Sequence, residues 1–284
     1  MKNLKIIDNN DIENEEIKEV IKSLEEAFNY FGINFYLIGA RARDLWLQKH
    51  RIKPPTATRD IDFAVLISDV KEFDELGKYL VDNKGFKSFS EAPHRFIFTK
   101  NDYIIDLLPF SKTSAYYTHF KDKFDTKISV LGFKEVYEKG TTLEKITGRL
   151  IKTATLPGIC VLKLIAWSEK PEQRRKDIKD FQVILENYFE IESNQIYESH
   201  LDLFDENAEI ELIAAQVLGR QIGDIIKDSV DLTEKIVSVF EENIVNPEKS
   251  EIADIMVGEN SMVVDIIRIL ERVLTGINEK LNLS

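Results

Sequence analysis

A single cysteine, Cys160, leaves the chain without an intramolecular disulfide or a cysteine-rich metal site. Ile159 and Val161 flank it, so it reads as a buried thiol rather than a nucleophile, in keeping with a reducing, cytoplasmic compartment. Glycine and proline are sparse, 12 and 7 in 284 residues, which excludes a collagen-like or low-complexity chain. No apolar run approaches the length of about 18 residues that a membrane span needs. The opening MKNLKIIDNNDIENEE also lacks the apolar stretch of a signal peptide. His50, His94, His119 and His200 are scattered without metal-ligand spacing, and no Ser-His-Asp or Cys-His pattern is legible.

Positive charge is outnumbered by negative, but unevenly. The net charge is −12. Residues 181–284 carry 7 Lys and Arg against 22 Asp and Glu, a net −15, whereas the first 180 carry 31 against 28, a net +3. The whole chain is therefore not expected to bind long nucleic acid non-specifically, while a local basic groove in the first part remains open. The length suits two domains, and the charge step suggests residues 1–190 and an acidic helical domain over 191–284.

Hydrophobic spacing over 15–31 puts Ile17, Val20, Ile21, Leu24, Ala27, Phe28 and Phe31 on one helical face, ended by Gly32. A buried strand is expected at 34–39, a helix at 40–50, a Pro-broken loop at 52–58 and a second strand at 60–67. A helix from Val70 to Leu80, opened by Ser68 or Asp69, and a hairpin of 96–99 with 103–110 follow. Segments 128–133 and 150–155 look strand-like, and Pro157 suits the first turn of a helix to 170. Helices at 174–189, 206–229, 231–243 and 262–281 complete an α+β chain: a short mixed sheet with flanking helices, then a helical C-terminal region.

The stretch TATRDIDFAVLIS places Asp60 and Asp62 one residue apart at the start of an apolar strand. Alternation sends both to one face, where two carboxylates can clamp a hard cation such as Mg2+ or can pair with an arginine such as Arg59 or Arg43. Asp106, in the apolar strand YIIDLLPF, needs a proton, a salt bridge or a metal ion to be tolerated there. Three such strand acids can hold metal ions and activate a hydroxyl, the third doubling as general base. Upstream, Gly39 lets backbone approach a ligand closely, the amides at the start of the next helix suit phosphate, and Arg41 and Arg43 add guanidinium forks. The alternative is a basic helical turn neutralised by Asp44 or Asp62. Lys163, within the apolar ICVLKLIAW, needs an anion or a path to water: phosphate, Asp177 or snorkelling would each serve.

LIGARARDLWL, then TRDIDFAV with Asp60 21 residues after Gly39, then YIIDLLPF, together resemble the nucleotidyltransferase superfamily typified by DNA polymerase β. Within it the chain is similar to the minimal nucleotidyltransferases of the AbiEii-type group of toxin–antitoxin and phage-defence systems, over about residues 15–190. The resemblance implies the nucleotidyltransferase fold and metal ligands at Asp60, Asp62 and Asp106, with Mg2+ or Mn2+ as the ion. It also implies an NTP held at Gly39, Ala40, Arg41 and Arg43, with Lys163 near the phosphates and Asp177 or Asp180 near that lysine or the acceptor. The family commonly has Gly-Ser or Gly-Gly at the turn, whereas this chain has Gly39-Ala40 and lacks that hydroxyl.

The expected activity is transfer of an NMP from an NTP to a hydroxyl, with release of pyrophosphate. The acceptor is open among RNA such as a tRNA end, a protein and a small molecule. The basic run of Arg41, Arg43, Lys49, Arg51, Lys53 and Arg59 can guide RNA or can be a solvated loop. A non-catalytic nucleotide-binding or interaction module of a toxin–antitoxin-like system is the alternative, motivated by Ala40 and the acidic tail. A D-x-D glycosyltransferase leaves Asp106 and Gly39 unexplained. The acidic helices are expected to pack on the catalytic domain or on a protein partner.

Overall fold

The computed structural model describes residues 15–55, 60–89, 92–111, 120–121, 127–205, 209–258 and 262–281. Arg59 and His119 lie outside the described residues. Contacts divide the chain into two compact units, residues 1–130 with 142–153 and residues 131–141 with 154–284.

The first unit begins with α1 (Glu15–Phe31), β1 (Asn34–Ile38), α2 (Gly39–Lys49), β2 (Asp60–Leu66) and α3 (Val70–Asn83). Then come β3 (Phe86–Phe89), β4 (Ala92–Phe98), β5 (Tyr103–Phe110) and a two-stranded antiparallel piece, β6 (Phe120–Lys121) with β7 (Lys127–Ile128). After α4 (Phe133–Lys139) of the second unit, β8 (Thr141–Ile146) and β9 (Arg149–Ala154) return to the sheet. Its strand order is β3-β4-β5-β2-β1-β9-β8, with β2–β5 and β1–β9 parallel and β1–β2, β3–β4 and β4–β5 antiparallel. The α+β class and the mixed sheet with flanking helices are as the sequence leads one to expect.

The apolar alternation of β2 explains its central place. Ile61, Phe63 and Val65 are buried on one face, and Phe63 meets Phe28 of α1 and Phe35 of β1 at ring-centroid distances of 6.4 and 5.7 Å. Asp60 and Asp62 point to the other face, shared further along by Ala64. The helix expected to follow β2 opens at Asp69, whose side chain accepts a hydrogen bond of 2.9 Å from the Glu72 amide.

Some elements depart from the sequence reading. β3 has only Phe86 buried in four residues, too short to show alternation. The strand expected over 128–133 is only Lys127–Ile128, and α4 takes over at Phe133.

The second unit is helical: α4, α5 (Leu156–Glu169), α6 (Arg175–Ser199), α7 (Ile210–Ile226), α8 (Val230–Ile244), α9 (Glu251–Met256) and α10 (Val263–Leu281). Thr155 caps α5 by accepting from the Gly158 amide, with Pro157 in the first turn. α7 and α10 cross backbone to backbone: a methyl group on Gly219 would collide with the Val273 carbonyl, and one on Gly276 with that of Gln216. The boundary expected near 190 falls inside the continuous helix α6. The charge step marks where the acidic surface begins, whereas the contacts divide near 154. Among the described residues, no helix is long and apolar enough to cross a membrane.

Phe63 is 1 % exposed between two other rings, so Phe63→Ala is expected to lower the unfolding free energy of the protein by about 3–5 kcal/mol, measured by chemical denaturation.

Candidate functional site

The strand register assembles the carboxylates. Asp62 on β2 lies directly beside Asp106 on the parallel strand β5, and Asp60 shares the face of Asp62 by alternation. Across the antiparallel neighbour, Asp62 lies opposite Ile38, the last residue of β1. The cluster therefore sits where β1 ends and α2 begins.

Gly39 makes that junction, with φ +70. A side chain there would be strained by this backbone angle, and its Cβ would collide with the Asp62 carboxylate. Gly39 is thus required for the Asp62 carboxylate to lie against the turn, a more specific role than close approach to a ligand. The helix that follows begins at Gly39 itself, and the residue at its N-cap position, Ile38, gives it no side-chain cap.

Arg95 on β4 lies opposite Asp106 in the antiparallel β4–β5 ladder. Its Nε donates to Asp106 Oδ1 at 2.8 Å and its Nη2 to Oδ2 at 2.7 Å, a two-pronged charge-assisted pair. Asp106 is 12 % exposed in its side chain and Arg95 33 %. The hydrogen bond to Asp106, opposed by desolvation, holds the guanidinium above its ordinary range, with further help from the charges of Asp60 and Asp62. Sequence reasoning did not single out Arg95. The signal was available in the hairpin: pairing Phe98 with Tyr103 across the turn carries Arg95 to Asp106.

The two arginines of the first α2 turn are placed differently from the expected phosphate forks. Arg43 is 1 % exposed and its Nε and Nη2 donate to Asp44 Oδ1 at 2.9 and 2.6 Å, so the buried neutralised turn is what the structure contains at that residue. Arg41 lines an apolar cavity of about 30 Å3 with Leu37, Leu45 and Ile61, residues that include the face opposite the carboxylates. Its Nε is buried without a hydrogen-bond partner among the described residues. Ala40 is half-buried at the turn.

Lys163 and Asp177 belong to the helical unit. Lys163 Nζ lies 2.7 Å from Asp177 Oδ1 and 2.6 Å from Asp180 Oδ2, so the anion that this lysine requires is supplied within the protein. Arg174 Nε adds an ion pair at 2.5 Å to Asp177 Oδ2, without hydrogen-bond geometry. Burial pulls the Lys163 ammonium down, but Asp177 and Asp180 outweigh it and hold the group above its ordinary value.

In chemistry the three carboxylates fit a hard divalent cation, being oxygen donors on one sheet face. As the side chains stand, however, no three His, Cys, Asp or Glu among the described residues are grouped to hold a metal ion. Both oxygens of Asp106 are taken by Arg95, and that side chain is what an ion would have to displace.

No family model matches the chain, and no curated protein matches it. Among solved structures it is similar to the antibiotic-resistance factor ANT(2'')-Ia in solution, at 13 % identity, covering 73 % of this chain and 94 % of that one with a TM-score of 0.38. It is also similar to an antigenic nucleotidyltransferase-like protein from Paracoccidioides brasiliensis, at 14 % identity, 78 % and 93 % coverage and a TM-score of 0.39. A CCA-adding enzyme in complex with ATP aligns at 14 % identity over 91 % of this chain and 67 % of that one, with a TM-score of 0.32. At this degree of overlap the reading of the site rests on its own residues.

Gly39→Ala is expected to destabilise the protein by more than about 1 kcal/mol from backbone strain alone, and to displace Asp62; thermal melting and a crystal structure of the variant check the two effects. Lys163→Met leaves the fully buried Asp177 with only Arg174 and is expected to cost about 3–5 kcal/mol in chemical denaturation. Because the lysine is raised in the folded state, its contribution is complete below the ordinary lysine value of 10.5 and is lost as pH rises through the folded one. The difference between wild type and Lys163→Met is therefore expected to stay level from neutral pH to about 10 and to shrink only above it.

Proposed function

We propose that the chain is a divalent-metal-dependent nucleotidyltransferase that moves an NMP from an NTP to a hydroxyl acceptor and releases pyrophosphate. The observation that carries this reading is the register that sets Asp62 beside Asp106, with Asp60 on the same face, at the turn where Gly39 opens α2. Asp60, Asp62 and Asp106 are the residues that would hold the ion, Mg2+ or Mn2+, which when bound polarises phosphoryl oxygens and lowers the pKa of the acceptor hydroxyl. The chain's own groups supply the rest. The amides at the start of α2 offer donors to phosphate oxygens. Asp106, once freed from Arg95, is the candidate base for the acceptor proton.

The acceptor is an RNA, protein or small-molecule hydroxyl. In the basic run considered for RNA, Arg43 is paired with Asp44 and Lys49 with Glu144, while Arg51 and Lys53 stay exposed. Less of that charge is free for a backbone than the sequence implies. The acidic helices are proposed as the surface for a protein partner, and the toxin–antitoxin role implied by the AbiEii-type resemblance belongs to the same proposal.

A second reading, a non-catalytic nucleotide-binding or interaction module, is favoured by one observation: the two-pronged hold of Arg95 on Asp106. Incubation with each α-32P-labelled NTP and Mg2+, with total RNA, protein or candidate small molecules as acceptors, separates the two. Nucleotide transfer is expected, abolished by EDTA and by Asp60→Ala or Asp62→Ala in folded protein. Transfer that survives both carboxylate substitutions sinks the enzymatic reading of these residues, and calorimetric NTP binding without any transfer favours the module.

A further inference from the structure

We infer that Arg95 is the resident counter-ion of the carboxylate cluster and competes with the divalent cation for Asp106, so that the ion and the Arg95–Asp106 pair exclude each other. The inference rests on the metal-binding reading of the cluster given above. Three carboxylates gathered on one sheet face repel one another and need positive charge whether or not an ion is present. β4 supplies it. Arg95 stands directly opposite Asp106 and takes both of its oxygens with the Nε–Nη2 edge of the guanidinium. A cation placed on either oxygen would then sit within a few ångströms of a fixed positive fork, which strongly disfavours holding both at once.

The pair is also built to open. Asp106 is nearly buried on a central strand, whereas the Arg95 side chain is one-third exposed and long enough to rotate away without moving the sheet. Release of Asp106 therefore requires a side-chain change only. Arg95 is in this sense a positioning residue: it holds the Asp106 carboxylate in the metal-free protein and sets how tightly an ion must bind to replace it.

The test measures free Mn2+ by electron paramagnetic resonance during titration of the full-length wild type, Arg95→Gln, Arg95→Lys, Asp106→Asn and the Arg95→Gln/Asp106→Asn double variant. Arg95→Gln is expected to bind Mn2+ about ten- to a hundred-fold more tightly than wild type, the scale of one lost charge-assisted competitor. Arg95→Lys, which keeps the charge but loses the fork, is expected to fall between them. In the Asp106→Asn background, Arg95→Gln is expected to gain much less, only the through-space effect of its charge on the remaining acids. Melting of the same proteins adds a readout independent of activity: Arg95→Gln should melt lower than wild type without metal and gain more on addition of Mn2+. Should Arg95→Gln not fold, Arg95→Lys and Asp106→Asn carry the comparison.

Equal Mn2+ affinity in wild type and Arg95→Gln overturns the competition while leaving the metal site standing. Arg95→Lys binding like wild type beside a tight Arg95→Gln overturns it too, reducing the effect to net charge. A gain on Arg95→Gln that persists undiminished in the Asp106→Asn background also overturns it, since Asp106 is then not what is contested. Failure of every variant to bind Mn2+ overturns the metal reading, and this inference falls with it.

Discussion

Like charges gathered on one face of a sheet must be neutralised, and this constraint organises the first unit. Asp60, Asp62 and Asp106 come together because β2 and β5 run parallel in a register that sets Asp62 against Asp106. β4 then brings Arg95 opposite Asp106 from the other side. The sheet order, with β2 between β1 and β5 and with β5 between β2 and β4, is thus the device that concentrates both the acids and their counter-charge. The apolar opposite face, where Phe63 meets Phe28 and Phe35, holds the strands in that register at the usual strength of an aromatic core. A slip of one residue would send the acids into that core, which gives the register a large energetic penalty against error.

Gly39 ties the acids to the helix that follows. Its positive φ and the closeness of the Asp62 carboxylate leave no room for a side chain, so one residue serves the backbone turn and the placement of the acid together. The amides of the first α2 turn then begin at the same junction as the carboxylates. That juxtaposition of anion-seeking amides and cation-seeking acids is what a metal–triphosphate requires, and it supports nucleotide transfer more than either element does alone.

The helical unit solves a related problem inside itself. Lys163 is an ammonium on an apolar helix, and Asp177 and Asp180 on α6 satisfy it, with Arg174 closing the network. In a buried pair of this kind the desolvation of the charges offsets much of what their attraction adds to net stability, while loss of one partner is costly. α7 and α10 achieve their own specificity with glycines that let the two backbones touch.

Much of this was readable from residue order alone. Alternation within β2 determined that Asp60 and Asp62 share a face, and the apolar periodicities located β1, β2, β5 and most of the helices, because such patterns are local properties of the chain. The acidic character of residues 181–284 was equally plain from composition. What the tertiary structure alone decided is which charge meets which. Arg41 lies close to the acids in sequence yet lines an apolar cavity, while Arg95, far from Asp60 and Asp62 in sequence, reaches Asp106 through a hairpin register. Likewise the contacts of the chain divide near residue 154 although its charge changes near 190. Ion pairing depends on distance in space and on the competition of every neighbour for the same carboxylate, and neither is encoded by any one segment.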